Sequence, residues 1–129
     1  MLKVDVVSPS GQIISGRDVS VLTVPSMMGE LAILPGHQDI LSLVGKGLLK
    51  LDDKESFIVY KGIMEVSDGE RVVIAAERIK KISEIDINES KNALREVENK
   101  LLNEVLDDFE LHKAREEYGD RLAELSALT

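Results

Sequence analysis

The spacing of apolar residues changes once along this chain, near residue 85. Before that point apolar and polar residues alternate or form short β-branched runs, a pattern that predicts β-strands. After it apolar residues recur every three or four positions, with a single glycine and no proline, which predicts helices. We therefore expect two domains, residues 1–84 and residues 85–129.

The first domain is predicted to contain seven short strands. They are residues 2–7, 12–15, 19–24, 48–51, 56–60, 63–66 and 72–75. Turns are predicted at residues 8–11, 51–56, 61–62 and 67–70, and the Asp68-Gly69 pair is a strong hairpin signal. Short strands joined by tight turns favour an all-β sandwich, a flattened antiparallel barrel, over alternating strands and helices.

The second domain is predicted to be an α-helical hairpin. Its two apolar stripes are Leu94, Val97, Leu101 and Val105, then Leu111, Ala114, Tyr118, Leu122 and Leu125. Each stripe follows a capping acid with a glutamate three residues later, namely Asp86 with Glu89 and Asp107 with Glu110. The stripes are out of phase at residues 107–108, so we expect antiparallel helices over residues 87–106 and 108 to about 127.

The composition of the chain argues against several classes of function. The 129 residues include no cysteine and carry a formal net charge of −8, which argues against thiol chemistry and against binding to nucleic acid or anionic lipid. No stretch approaches the roughly 20 apolar residues that span a bilayer, and the first residues lack the apolar core of a secretory signal. We expect protein partners, no nucleic acid and no direct membrane insertion.

No catalytic chemistry is indicated by the motifs. His37 and His112 are the only histidines and lie on different predicted elements, without metal-ligand spacing. The stretch Gly45-Lys46-Gly47 lacks the spacing of a phosphate loop and a following helix. The sequence therefore predicts no catalytic residue, no metal site and no cofactor.

The stretch "GELAILPGHQDI", residues 29–40, is predicted to be a loop of defined shape. Gly29 and Gly36 allow positive φ, and Pro35 fixes φ near −65°. Its apolar residues Leu31, Ile33 and Leu34 are expected to anchor the loop to the core. Its polar residues Glu30, His37 and Gln38 are expected to project outward. A fixed loop with outward polar groups favours a contact surface, and a stiff connection without a partner is the alternative.

Three motifs resemble one family. "VVSPSG" (residues 6–11), "GELAILPGH" (29–37) and "AAER" (75–78), ahead of an acidic helical hairpin, resemble the epsilon subunits of bacterial F-type ATP synthases, equivalent to the mitochondrial delta subunit. The resemblance implies a non-catalytic central-stalk subunit whose sandwich contacts the gamma subunit and the ring of c subunits. The contact residues implied are Glu30, Pro35, His37 and Gln38. It also implies a place at the cytoplasmic face of the bacterial cell membrane.

The resemblance also raises the question of regulation. In this family the hairpin can regulate ATP hydrolysis and reach the catalytic alpha and beta subunits transiently, through basic residues of the second helix. Here that helix is acidic, so we expect weak inhibition. Its acids are Asp107, Asp108, Glu110, Glu116, Glu117, Asp120 and Glu124, against Lys113, Arg115 and Arg121.

Some members bind ATP through a motif at the start of the first helix. Ile85 and Asp86 match that motif. Glu96 and Glu117 stand at later arginine positions, with Arg95 beside the first of them, and Arg121 matches the final arginine. Glu89 and Ser90 stand where the motif has arginine and alanine. A carboxylate in place of a guanidinium repels phosphate. The implied ATP site is therefore degenerate.

Two other functions fit the residues without the resemblance. A β-sandwich adaptor with an acidic helical tail would bind a partner other than gamma in an unrelated assembly. A small hydrolase with an unrecognised site would turn over substrate as the isolated chain. A binding and hydrolysis assay with an ATPase core that lacks its epsilon subunit separates the three.

Overall fold

The computed structural model describes residues 1–128, and the chain divides into two compact units. The first unit is Met1–Lys81, and the second begins at Ile82 with a single 3-10 turn, Ile82–Glu84. The division lies three residues before the predicted boundary. The fold class expected from the sequence, an all-β sandwich followed by a helical hairpin, is confirmed.

Eight strands form the first unit. They are β1 (Leu2–Ser8), β2 (Gly11–Val19), β3 (Leu22–Ser26), β4 (Gly29–Ile33), β5 (Ile40–Val44), β6 (Gly47–Leu51), β7 (Glu55–Ser67) and β8 (Arg71–Lys81). The strand order is β2-β1-β8-β7-β5-β3-β4, and β6 pairs with β3 and β7. Along one edge of the long β7, its first half pairs with β6 and its second half with β5. The sheet therefore folds over into two layers.

The core between the layers is almost entirely aliphatic. The fully buried side chains include Leu2, Val4, Val6, Leu22, Val24, Ile33, Leu49, Met64, Val72 and Ile74. Phe57 is the one aromatic residue of this cluster in the described part of the chain. Inward and outward residues alternate along β1 and along residues 60–66 of β7, as expected for strands with one face on a core, whereas residues 57–60 of β7 are all buried.

Three features of the sheet differ from the sequence prediction. β1 and β8 are parallel, with Val6 opposite Ile74, whereas every other pair is antiparallel within the described residues. Apolar periodicity shows which face is buried but carries no information on strand direction. β4 and β5 were not predicted, because the first begins inside the glycine-rich stretch and the second has apolar residues on both faces. Strand 19–24 is broken at Ser20-Val21 into β2 and β3.

The predicted turn at Lys61-Gly62 is wrong, because β7 runs straight through it. The pairing with β8 shifts register on both sides of Lys61, which is a β-bulge. A Cβ on Gly62 would lie 2.6 Å from the carbonyl oxygen of Ala75. Glycine is thus present so that two backbones can approach closely, and no chain reversal is involved.

The second unit contains helices α1 (Ile87–Asn103) and α2 (Asp108–Leu128). α1 ends three residues before its predicted end, because Glu104 is extended, with φ −111° and ψ 147°. Val105 therefore lies in the link and is fully exposed, which corrects its place in the apolar stripe. Ser90, near the start of α1, donates a hydrogen bond to Glu124, near the end of α2. The helices are therefore antiparallel.

Candidate functional site

An apolar row crosses four strands on the outer face of the sandwich. Val7 of β1 lies opposite Ala75 of β8, Ala75 lies opposite Ile63 of β7, and Ile63 lies opposite Leu43 of β5. Leu43 is 60% exposed and Ile63 is 47% exposed, and Leu41 on the same face of β5 is 74% exposed. Exposed apolar side chains that touch across strands form a patch, and such patches mark interaction surfaces.

The row opens into a groove of about 590 Å³. Its walls also include Pro9, Met27 and the side chains of Lys61 and Glu77. The lysine and glutamate form an exposed ion pair with 3.7 Å between Nζ and Oε2. We call this groove and the row from Val7 to Leu43 the apolar face. An apolar floor with a charged border is the usual anatomy of a protein interface.

The apolar face was not predicted from the sequence, although one signal was present. The run Ile40–Val44 has apolar residues on both faces of a strand, with Ile40 and Val44 directed to the core and Leu41 and Leu43 directed outward. A strand of a solvated sheet alternates apolar with polar residues. Apolar residues on both faces therefore indicate that something covers the second face.

The loop of residues 34–39 is held by backbone contacts to a neighbouring turn. The amide of Gly36 donates to the carbonyl of Gly69 at 2.7 Å, and the amide of His37 donates to the carbonyl of Leu34 at 3.1 Å. Gly36 and Gly69 have φ of 87° and 67°. A Cβ on Gly69 would lie 3.2 Å from Cα of Gly36. The loop therefore has one shape, set by two glycines that touch.

Three of the four predicted contact residues lie together in this loop. Pro35 and Gln38 are exposed, and His37, which was expected to project outward, is half-buried. The Nδ1 atom of His37 donates to the carbonyl of Gln38 at 2.8 Å, which leaves Nε2 of the neutral ring as an acceptor. Leu34 was expected to anchor the loop, but it is 51% exposed. The other two expected anchors hold: Ile33 is buried and Leu31 packs against the core.

Glu30, the fourth predicted contact residue, lies on β4 and outside the loop. It pairs with Pro25 of β3 and is exposed. It lies three positions before Ile33, the last residue of β4, which is about 10 Å of extended strand. Glu30 and the loop residues therefore sit at opposite ends of β4.

The predicted cap and ATP-site residues lie in the second unit. Asp86 caps α1, with its carboxylate accepting from the amides of Asn88 and Glu89 at 2.9 and 3.2 Å. Asp107 caps α2 and accepts from the amide of Glu110 at 2.7 Å. The carboxylate of Asp86 is therefore already committed to its own helix.

The two arginines of the degenerate ATP motif have different surroundings. Arg95 is exposed on α1. Arg121 is half-buried on α2 and donates through Nη1 to Oε1 of Glu124 at 3.1 Å, with Glu117 at 4.0 Å. Ile85 is half-buried, and its amide donates to the carbonyl of Ile82. Arg121 is thus engaged with carboxylates of its own helix.

Residues 1–128 offer neither a metal-binding cluster nor a membrane-spanning helix. That part of the chain contains no group of three or more histidine, aspartate or glutamate residues arranged to hold a metal ion. Within the same residues, no helix is both long enough and apolar enough to cross a membrane. The apolar face and the loop remain the candidate site.

The known proteins that resemble this chain are subunits of ATP synthases. The model of the beta-sandwich domain of the ATP synthase delta/epsilon chain matches residues 1–82. An ATP synthase epsilon chain of Bdellovibrio bacteriovorus is 31% identical over 131 residues, which covers 98% of this chain and 93% of the relative. The similarity therefore includes both units.

Two solved structures share the fold. A chain in the Euglena gracilis mitochondrial ATP synthase aligns over 99% of this chain and 81% of its own length, with a TM-score of 0.89 and 19% identity. A chain in the central stalk and c-ring structure of the Tetrahymena thermophila mitochondrial ATP synthase aligns over 99% and 96%, with a TM-score of 0.68 and 15% identity.

Proposed function

Because this chain belongs to the ATP synthase delta/epsilon family, we propose that it is a non-catalytic subunit of the central stalk, bound to the gamma subunit and to the ring of c subunits. A chain of the same fold occurs in the Tetrahymena central stalk and c-ring structure, which supports this role. The proposal includes a location on the cytoplasmic face of the bacterial cell membrane, within the complex.

The observation that carries the proposal is the apolar face. Leu43 and Ile63 are exposed and adjacent across two strands, and they lie on a sheet whose other face is the core. A partner that covers both side chains removes apolar area from water, and each fully buried side chain of this size contributes about 1.5 to 3 kcal/mol. We assign this face to the gamma subunit.

The polar contacts are assigned to the loop and to β4. Glu30 supplies a carboxylate, and Pro35, His37 and Gln38 present a surface with a fixed backbone. Polar groups at the rim of an interface give specificity more than affinity. We assign these residues to contacts with gamma and with the c-ring.

A rotating stalk needs a subunit that does not deform under load. The first unit meets this need because its core is continuous and its strands are joined by tight turns. We assign regulation of ATP hydrolysis to the helical hairpin, through transient contacts with the catalytic alpha and beta subunits.

The test is binding of this chain to a core complex of alpha, beta and gamma subunits that lacks it. We expect Leu43→Gln combined with Ile63→Gln to raise the Kd at least tenfold, because the lost apolar contact exceeds the roughly 1.4 kcal/mol that a tenfold change requires. Isothermal titration calorimetry measures the Kd.

The matched control is Ile13→Gln. Ile13 is 40% exposed, close to the 47% of Ile63, but it lies on β2 outside the apolar face. We expect this variant to bind as the unchanged chain does. Equal loss in both variants, or no binding by the unchanged chain, would refute the assignment.

A further inference from the structure

The turn between β3 and β4 carries two methionines at its tip. Ser26 pairs with Gly29, so Met27 and Met28 form a two-residue hairpin loop. Such short loops favour glycine, asparagine and aspartate, so the turn itself does not require methionine. Both side chains lie largely in water, with Met27 71% exposed and Met28 95% exposed. The conformation of the turn therefore does not account for two large apolar side chains at this position.

The backbone of this turn is held in one shape, and its two methionines have different surroundings. The Oγ atom of Ser26 donates to the carbonyl of Gly29, and the amide of Met28 donates to the same Oγ at 3.1 Å. Met27 lies against the link between β5 and β6, because a Cβ on Gly45 would lie 3.5 Å from its sulfur atom. Met27 is also one wall of the groove of the apolar face, whereas Met28 does not line that groove. Only one of the two methionines thus belongs to the apolar face.

The sulfur chemistry of this chain is confined to thioethers. There is no cysteine, and the four methionines are Met1, Met27, Met28 and Met64. Met64 is fully buried in the core, and Met1 is 68% exposed but does not line the groove. An oxidant must reach the sulfur atom, so an exposed thioether reacts faster than a buried one. A peroxide should therefore oxidise Met27 and Met28 and leave Met64 intact.

Oxidation of Met27 changes the chemistry of the apolar face. Hydrogen peroxide transfers one oxygen atom to the thioether: the O–O bond breaks, an S–O bond forms, the sulfur loses two electrons and water is released. The sulfoxide oxygen is a hydrogen-bond acceptor, and a partner that covers it with apolar side chains leaves it without a donor, which is unfavourable. A dithiol reductase reverses the step, because its two thiols become a disulfide while the sulfoxide returns to the thioether and releases water.

We propose that Met27 is a site of reversible sulfoxide formation and that its oxidation by hydrogen peroxide weakens binding of the gamma subunit at the apolar face. This inference rests on the proposed function, because it takes gamma to be the partner that covers the groove. It adds to that function a regulation by peroxide, which acts on the subunit before assembly, while the groove is open. Met28 is oxidised as well, without an effect on binding.

The first measurement follows oxidation of the free chain. After treatment with hydrogen peroxide and removal of the oxidant with catalase, peptide mass spectrometry gives the sulfoxide fraction at each methionine. We expect sulfoxide to form at Met27 at least tenfold faster than at Met64, which serves as the buried reference. A rate at Met27 no higher than that at Met64 would overturn the proposal.

The second measurement is binding to the core complex of alpha, beta and gamma subunits by isothermal titration calorimetry. Peroxide treatment should raise the Kd of the unchanged chain at least fivefold, and methionine sulfoxide reductases for both sulfoxide epimers should reverse most of the rise. Met27→Leu supplies an apolar side chain of similar size that peroxide does not oxidise, so treatment should change the Kd of this variant less than twofold. The matched control is Met28→Leu in the same turn, which should keep the fivefold response.

Four results would each overturn the proposal. These are an unchanged Kd after treatment, equal responses of the Met27 and Met28 variants, a rise that the reductases do not reverse, and a loss of the β-sheet signal in circular dichroism on treatment. If the untreated chain binds the core complex and one of these results is obtained, only this inference fails. If the untreated chain does not bind, the proposed function fails and this inference fails with it.

Discussion

At the scale of single residues, two glycines determine the shape of the loop of residues 34–39. Gly36 and Gly69 both have positive φ, and the two backbones meet without side chains between them. Left-handed backbone is costly for most residues with a Cβ, and least so for asparagine and aspartate. The loop that carries Pro35 and His37 is therefore fixed to the β7–β8 turn by backbone contacts, which leaves its side chains available to a partner.

Charge reversal at Glu30 should weaken assembly and leave the sandwich folded. Glu30→Lys changes an exposed side chain on β4, and loss of one polar interface contact costs about 1 to 3 kcal/mol. We expect roughly a tenfold rise or more in the Kd for the complex of gamma and c-ring, measured by titration. His37→Asp should act in the same direction.

The control for this prediction is Glu96→Lys, which makes the same change in net charge at an exposed position of α1. It should leave the Kd unchanged. Circular dichroism of the Glu30 variant should match that of the unchanged chain, and an unfolded spectrum would show that Glu30 has a structural role.

The stability that Asp52 gives to the sandwich should be lost in acid. Its carboxylate accepts hydrogen bonds from the amides of Val21 and Ser20, at 2.8 Å and at 2.9 and 3.1 Å. These bonds hold the pKa of Asp52 below its usual range, with a smaller contribution from Lys54. A carboxyl whose pKa is lower when folded stabilises the fold above its unfolded pKa, about 3.9. That stabilisation is lost as the pH falls through the folded pKa.

The variant Asp52→Asn isolates this effect. Position 52 has φ 55°, a conformation that asparagine tolerates well. The free energy of unfolding from denaturant titration should be lower for the variant at pH 7, and the difference should shrink as the pH falls below about 4. A difference that is constant from pH 7 to pH 2.5 would contradict the assignment.

At the scale of elements, the hairpin satisfies its own polar groups. Ser90 and Glu124 are both buried and share a hydrogen bond of 2.9 Å between the helices. Arg121 adds a bond to the same carboxylate. A buried carboxylate is tolerated only with such partners. The position where the ATP motif has alanine is therefore occupied by a serine that joins the helices.

The isolated chain should not bind ATP at submillimolar concentrations. Asp86 is committed to capping α1 and Arg121 to Glu124, and Glu89 would repel phosphate. Calorimetry should show no saturable binding below roughly 1 mM, a free energy of about −4 kcal/mol. Micromolar binding would mean that Arg95 and Arg121 form a site in another arrangement.

At the scale of the whole molecule, each unit has a separate part in the proposed role. Every residue of the apolar core lies within the first unit, and the family model ends at residue 82. Docking through the sandwich and regulation through the hairpin are therefore separable by truncation.

Deletion of residues 87–129 should raise ATP hydrolysis by the reconstituted complex less than twofold, a change of about 0.4 kcal/mol or less. The reason is that α2 and its cap Asp107 carry seven acids and three basic residues, whereas the resemblance implies contact with the catalytic subunits through basic residues. Steady-state hydrolysis with the full chain is the reference. The truncated chain should bind the core complex with an unchanged Kd, and a tenfold rise in hydrolysis would show strong inhibition by the hairpin.

Local chemistry determined much of this protein in advance of its structure. The shape of the loop around Pro35 depends on the distant Gly69, but the division into strands and helices and the capping acids Asp86 and Asp107 follow from neighbours a few residues apart. Such local interactions can be predicted from the spacing and the type of the residues. The end of α1 was predicted less well, because the helical spacing of apolar residues continues to Val105 whereas the helix ends at Asn103, before the extended Glu104.

Tertiary structure decided which residues form the apolar face. Val7 and Leu43 belong to strands far apart in the chain, and they share a row only because β1 runs parallel to β8 and β5 pairs with β7. Strand direction and register depend on contacts between distant segments, and apolar periodicity carries neither. An exposed leucine is unremarkable alone. It became part of a surface only when folding set Ile63 and Ala75 beside it.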